Sequence, residues 1–356
     1  MELTQIYRPI QSQLQAAEAL LVKELAAQES FRTSLMGELT RHVARMSGKR
    51  IRPALALLGY GVAKTSSSSM SSSRKRGSDS RRSLSRATSR GGNDKAIKLA
   101  VAVEMIHTAT LLHDDVIDGA SLRRGLATLN AKWGDTLSVL SGDYLYSKAF
   151  CLLSEMDNPK VQRLMSDTAR IVCEGEVSQI QHQYDLTLSR EKYLKIIHWK
   201  TASLMGASAE AGALLGGAST SQATRLGIFG TSFGLAFQIL DDTQDLVGDQ
   251  DLLGKSLGTD LALGQMTLPL LYLRDSAGPK LRSHLAQCFT GNGSRTAAQV
   301  QDQYRFLKEQ AIKHQVPVYC KRIANRHLAK ARASLAPFLS SPAKSSLLAL
   351  TDFLLS

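Results

Sequence analysis

The stretch KAIKLAVAVEMIHTATLLHDDVID, residues 95–118, decides the fold: a strongly apolar run at helical spacing that ends on three carboxylates. The spacing predicts a helix from Lys95 to about Asp118. Its end carries Asp114, Asp115 and Asp118, and Arg123 and Arg124 follow in GASLRRG. Like charges crowded this way repel, and burying them is costly unless something offsets the charge. A solvated helix terminus would meet that condition. So would a cation that takes oxygen ligands, and the rest of the chain decides between them.

Outward from that helix the pattern repeats. Residues 11–27 (QSQLQAAEALLVKELAA) place apolar side chains at helical spacing, and a further helix runs through Ala54 to Leu58 after the turn GKRIRP. Helical periodicity continues over 136–156, 160–183, 191–216 and 221–247. The last third, 267–356, alternates apolar helical stretches with short Gly or Pro breaks. Leu, Ala and Gly dominate, aromatics are sparse, and alternating Val–Ile–Thr strands and fixed-period repeats are missing. The expectation is one large all-α domain over residues 1–356. No run reads as long enough to span a bilayer. The start, MELTQIYRPIQSQLQ, reads as a mature N-terminus without a leader. Cys151, Cys173, Cys288 and Cys320 form no CxxC pair, so reduced thiols in an intracellular, reducing compartment are expected, cytosol or organelle being left open.

A formal charge of +13 invites a nucleic-acid reading, but its distribution argues against it. Between Lys64 and Lys95 lie nine Lys or Arg and two Asp, a local net of +7, in a Ser/Arg-rich stretch with almost no apolar residues. Such a segment cannot offset its own ordering entropy, so 64–95 reads as a disordered surface insertion. A phosphorylatable or anion-binding arm is the functional alternative. An RNA-binding protein built on this arm would want a stacking-aromatic or RRM-like signature, and none is present, so no nucleic-acid partner is expected.

A second acidic trio stands in FGLAFQILDDTQD: Asp241, Asp242 and Asp245. Both trios have the form DDxxD, and both follow a long apolar helix. Positions i and i+4 share a helix face, so Asp114 sits over Asp118 and Asp241 over Asp245. All-oxygen ligands without His or Cys suit Mg²⁺, which keeps so few protein ligands when it shares its shell with phosphates. Two facing acidic helices would bracket a diphosphate through bridging metals. Basic residues stand beside them: Lys49, Arg50 and Arg52 in GKRIRP, Arg123 and Arg124 after the first trio, Lys200 with Thr201 in IIHWKTASL, and Lys255 after the second. Arginine supplies the bidentate geometry that a phosphate group takes.

With these motifs in order (GKRIRP, EMIHTATLLHDDVIDGASLRRG, GDYLYSKAF, EGEVSQ, KTASL, FGLAFQILDDTQD, GKSLGTDL, TLPLLYL), the sequence resembles the trans-isoprenyl diphosphate synthases, among them the long-chain octaprenyl, solanesyl and decaprenyl enzymes. The resemblance runs from about residue 40 to 345. It implies a single bundle of mainly antiparallel helices around a deep central cavity, usually as a homodimer. It also implies that Lys49, Arg52, His107 and Arg124 bind the diphosphate of isopentenyl diphosphate. Arg123, Lys200, Thr201, Gln238 and Lys255 would hold the allylic diphosphate. Asp114, Asp118 and Asp241 would ligate Mg²⁺, with Asp115 and Asp245 also in the metal site, and Asp114, Asp118, Asp241 and Lys200 would be the catalytic residues. Two departures stand out: Gln265-Met266 before TLP, and a C-terminus, LTDFLLS, without the basic residues many relatives carry.

The small residues Ala109 and Thr110, one turn before Asp114, stand where short-product relatives carry aromatics, so a hydrocarbon is expected to extend past them. Leu153, Met156 and Met165 are the candidates for the floor. The resemblance therefore implies a Mg²⁺-dependent synthase with an octaprenyl-to-decaprenyl product, solanesyl at the centre, for the ubiquinone side chain, and a peripheral membrane contact for product release. A geranylgeranyl-length product and a non-catalytic partner subunit are the alternatives.

Overall fold

The computed structural model describes residues 2–26, 35–45, 48–72, 80–123, 125–249, 257–276, 278–289 and 296–355. They form α1 (Gln11–Ala26), α2 (Leu35–Arg45), α3 (Ile51–Ser72), α4 (Ser80–Ile117), α5 (Leu129–Trp133), α6 (Asp135–Ser154) and α7 (Pro159–Gln181). Then come α8 (Arg190–Ile197), α9 (Ser203–Leu215), α10 (Thr220–Val247), α11 (Thr259–Ala262), α12 (Leu268–Ser276) and α13 (Pro279–Phe289). Finally α14 (Ala297–Lys313), α15 (Val316–Ser334) and α16 (Pro342–Phe353) close the chain. The one strand pairing among the described residues joins Leu122–Arg123 to Leu126–Ala127, antiparallel, with Leu122 opposite Ala127. Gly125, at φ 77°, supplies the left-handed backbone of that turn.

Local chemistry sets the helix starts. Asn158 accepts from the Val161 amide with Pro159 in the first turn of α7, and Ser189 accepts from the Lys192 amide at α8. Ser219 and Gln222 form a reciprocal capping box at α10. Helix α9 is the middle of the bundle: nearly all of Leu204–Ala213 is buried, and it packs on α3, α7 and α10. Small residues allow this. A Cβ on Gly212 would lie 2.0 Å from the Ala56 carbonyl oxygen of α3. Helices α4 and α6 pack side by side, and α10 also packs along α15.

Two expectations change. Helix α4 does contain a run, Gly91–Ile117, long and apolar enough to cross a bilayer. Most of that run is buried inside the bundle, so core packing accounts for its hydropathy. The insertion at 64–95 overlaps two helices rather than a loop at its ends. The Ser66 side chain is buried, and Asn93 accepts a hydrogen bond from Gln13 of α1 at 2.5 Å. The backbone continues helical to Ser72 and from Ser80, because each end extends a helix already anchored in the core. Residues 73–79 of the insertion lie outside the described residues.

Candidate active site

The first acidic trio ends α4, as the sequence indicates, but its members differ in role. Asp115 is fully buried, and Arg123 Nε donates to its Oδ1 at 2.7 Å. Its Oδ2 is buried, with no hydrogen-bond partner among the described residues. Burial pushes the Asp115 carboxyl above the ordinary carboxylate range, with Arg123 pulling the other way. Asp114 faces Lys200, whose Nζ lies 3.8 Å away. The same ammonium is 2.6 Å from Glu176 of α7. Burial, opposed by Lys200 and reinforced by Glu176 and Asp118, pushes Asp114 up to about 7. Burial also raises Asp118. Burial works to lower Lys200, yet Asp114 and Glu176 hold it above its ordinary value. Two cations, Lys200 and Arg123, stand against four carboxylates, Asp114, Asp115, Asp118 and Glu176, which leaves a surplus of negative charge.

The second trio ends α10, and two of its members are held by hydrogen bonds from other elements. Asp242 is buried, accepting from the Tyr193 hydroxyl at 2.5 Å and from Gln238 Nε2 at 2.7 Å. Asp245 is buried as well. It accepts from the Thr259 hydroxyl at 2.8 Å and from the Asp260 amide at 3.0 Å, so it fixes the start of α11. Its i, i+4 spacing from Asp241 was visible in the sequence, whereas this tertiary engagement was not.

The two trios meet at one segment. Residues His198–Ala202 form a turn of π-helix between α8 and α9. Lys200 reaches from it to the first trio, and the Thr201 hydroxyl donates to Gln238 Oε1 at 2.9 Å, beside the second. The acidic helix ends therefore flank one cationic turn. Glu176 and Tyr193 are the residues that the sequence reading left out, and Asp242 was read only as a member of its trio. Glu176 sits in EGEVSQ, and Tyr193 lies seven residues before Lys200 on one helical stripe, signals that were available but not distinctive.

Elsewhere the picture is mixed. Arg50, at φ 49°, turns back to Glu104 at 2.5 Å, whereas Lys49 is exposed and Arg52 half-buried. The Tyr7 hydroxyl donates to the Lys49 carbonyl at 3.0 Å, and the Lys49 ammonium lies 5.9 Å from the Phe353 ring centroid at the end of α16. The C-terminal helix thus reaches this cation with an aromatic ring in place of basic residues. His107 is half-buried on α4, two turns before Asp114. Arg124 and Lys255 lie outside the described residues. Of the chain-length candidates, Ala109, Leu153, Met156 and Met165 are all buried at 1% exposure or less, so the bundle is closed around them. Thr110 is half-buried, its hydroxyl donating to the His107 carbonyl at 2.7 Å. Beside them His113, Tyr146 and Phe150 form a stacked ladder, centroids 6.1 and 6.5 Å apart.

The donor set suits a hard divalent cation: all oxygen, with more carboxylate than Lys200 and Arg123 neutralise and a buried Asp115 oxygen with no hydrogen-bond partner among the described residues. Among the described residues no three carboxylate, His or Cys side chains are placed to hold a metal alone. Oxygens of a bound diphosphate and water would complete its shell.

An all-α bundle that sets two carboxylate-rich helix ends against a half-buried lysine is an enzyme's architecture, fitted to cations and anions bound together. The comparisons with known proteins agree. The polyprenyl synthetase family matches residues 33–307. The octaprenyl diphosphate synthase of Haemophilus influenzae is 34% identical over 275 residues, covering 77% of this chain and 76% of that protein. The all-trans-nonaprenyl-diphosphate synthase (geranyl-diphosphate specific) of Rhodobacter capsulatus is 34% identical over 290 residues, 79% of this chain and 81% of that protein. A crystal structure of a polyprenyl synthase from Caulobacter crescentus CB15, complexed with calcium and isoprenyl diphosphate, superposes with a TM-score of 0.85 at 33% identity, covering 100% of this chain and 98% of that one. The chain belongs to the polyprenyl synthetase family and is a prenyltransferase.

Proposed function

We propose that this chain is an all-trans-polyprenyl diphosphate synthase that condenses isopentenyl diphosphate head-to-tail onto an allylic diphosphate, farnesyl or geranylgeranyl. The observation that carries the reading is the π turn bearing Lys200 and Thr201 between the two acidic helix ends. Asp114, Asp118 and Asp241 would hold Mg²⁺, which when bound supplies positive charge to the leaving diphosphate. Lys200, Thr201, Gln238 and Arg123 bind and orient that diphosphate, with Lys255 at the same group. Lys49, Arg52 and His107, with Arg124, hold the diphosphate of isopentenyl diphosphate so that its double bond faces the allylic carbon. Fixed charge aimed at the departing group stabilises the transition state as the allylic C–O bond ionises. The double bond attacks the resulting carbocation, and the released diphosphate takes the proton.

The long product rests on Ala109 and Thr110, which place no bulky group one turn below Asp114, and on the octaprenyl and nonaprenyl relatives. Because Ala109 and the floor residues Leu153, Met156 and Met165 are closed over in this structure, the growing hydrocarbon must part the bundle as it enters. Solanesyl diphosphate for a ubiquinone side chain is the product we put forward, with Mg²⁺ as the metal. The exposed apolar residues Val139 and Leu140 of α6, with Val177 and Ile180 of α7, suit a homodimer face. An intracellular, reducing compartment fits the four free cysteines, and a peripheral membrane contact would receive the insoluble product.

The test is incorporation of labelled isopentenyl diphosphate into an organic-extractable product, with and without farnesyl diphosphate and Mg²⁺. Incorporation that needs both supports the reading. Incorporation by neither, in folded protein, removes it in favour of a non-catalytic partner subunit.

A further inference from the structure

The helix that carries Lys200 is irregular at the point where it matters. Helix α8 runs into the π turn His198–Ala202 and continues as α9 without a break. A π turn gives up hydrogen-bond geometry relative to the α-helix, so it persists where its surroundings impose it. Here two neighbours press on it at backbone distance. A Cβ on Gly175 of α7 would lie 2.6 Å from the Lys200 amide nitrogen, and one on Gly234 of α10 would lie 2.7 Å from the Ala202 Cα. The turn is wedged between two helices that have no side chain at the points of contact.

A closed set of hydrogen bonds then locks its register. Tyr193 stands on α8 just before the π turn and Thr201 stands within it, and Asp242 and Gln238 stand one turn apart on α10. Thr201 donates to Gln238 at 2.9 Å, Gln238 donates to Asp242 Oδ1 at 2.7 Å, and Tyr193 donates to Asp242 Oδ2 at 2.5 Å. Asp242 is the hub, with a donor at each carboxyl oxygen. It draws the Gln238 amide nitrogen toward itself, which turns the Gln238 oxygen toward Thr201. Tyr193 holds the other carboxylate oxygen from a fully enclosed position, 3% exposed. Its hydroxyl faces the interior behind Asp242.

We infer that Tyr193 is a positioning residue: through Asp242, Gln238 and Thr201 it fixes the π turn and with it the aim of Lys200 at Asp114. Its effect on turnover rests on the function proposed above, and its effect on the turn does not. The hydroxyl supports the diphosphate end of the allylic substrate through Gln238 and Thr201. The buried carboxylate needs both donors, because a buried acceptor left unpaired costs more than the bond itself contributes.

The experiment compares wild type with Tyr193→Phe, which keeps the ring and deletes the donor, and with Asp242→Asn. The latter is isosteric but cannot accept from both neighbours, and it stands in should the first variant fold poorly. In either variant, amide hydrogen exchange at His198–Ala202 should quicken by about tenfold, while exchange within α4 stays as in wild type. In turnover, KM for farnesyl diphosphate should rise about tenfold with KM for isopentenyl diphosphate within twofold. The double variant Tyr193→Phe/Thr201→Val should be no worse than Thr201→Val alone, since both act through one chain. Unchanged exchange at the π turn in both variants overturns the inference. So does a rise in both KM values together, or a multiplicative loss in the double variant. If wild type transfers no prenyl group, the proposed function fails, and the exchange result still decides whether Tyr193 holds the turn.

Discussion

Replacing Glu176 with Gln should change how many protons the protein releases when it takes up Mg²⁺. In the metal-free protein, burial and the neighbouring Glu176 and Asp118 outweigh Lys200 and push Asp114 up to about 7. A carboxyl with that pKa is about nine-tenths protonated at pH 6 and about one-tenth at pH 8. A metal ligand must be ionised, so binding at pH 6 should release about 0.9 proton from this site and at pH 8 about 0.1. Apparent Mg²⁺ affinity should fall about tenfold from pH 8 to pH 6, with the raised Asp118 acting in the same direction. Linkage gives the matching sign for folding. The folded protein holds a proton that the unfolded chain, with an ordinary carboxyl, gives up. The associated stability is present below the ordinary value near 3.8 and is lost as pH rises through about 7. The full shift corresponds to on the order of 4 kcal/mol. Glu176→Gln removes one of the charges that raise Asp114 and leaves Lys200, now 3.8 Å away, without its nearer partner. Proton release at pH 6 should shrink, and the pH dependence of affinity should flatten. Calorimetry in buffers of different ionisation enthalpy counts the protons directly. Equal proton release at pH 6 and pH 8 in wild type, or a larger release in Glu176→Gln, would refute the reasoning.

Asp114→Ala and Asp241→Ala should each abolish condensation while the circular dichroism spectrum stays that of the folded helical bundle, because each removes a proposed metal ligand. Thr110→Phe should shorten the product and preserve the first condensation, as read by product chromatography. Ala109→Tyr should do the same with an added loss of stability of about 1–3 kcal/mol, since Ala109 is fully enclosed. Replacing residues 69–89 with a short linker should leave activity intact and the melting temperature within a few degrees. The cut lies inside the earlier limits because Ser66 is buried and Asn93 bonds to Gln13.

The helices were legible because their signals are local. The apolar stripes of 11–27 and 95–118 each announce themselves by spacing alone, and the bundle follows from burying those stripes. The acidic trios were legible as motifs but not in their division of labour. Whether an aspartate faces a metal or the interior depends on what approaches from another helix, and only packing shows that Tyr193 claims Asp242 and Thr259 claims Asp245. The π turn was illegible for a related reason. The stretch 191–216 keeps helical spacing throughout, and the extra residue is imposed by Gly175 and Gly234 from other helices. The insertion misled in the opposite direction, because composition reports a segment's own burial and not the anchorage of the helices that continue into it.

The measurement that bears most directly on the account is the length of the product made by purified protein from farnesyl diphosphate, labelled isopentenyl diphosphate and Mg²⁺, sized by chromatography after removal of the diphosphate. The account predicts products from octaprenyl to decaprenyl, centred on nonaprenyl, and none when Asp114 or Asp241 is replaced by Ala. A product that stops at geranylgeranyl would contradict the long-chain assignment, and undiminished synthesis by either aspartate variant would contradict the paired-cluster mechanism.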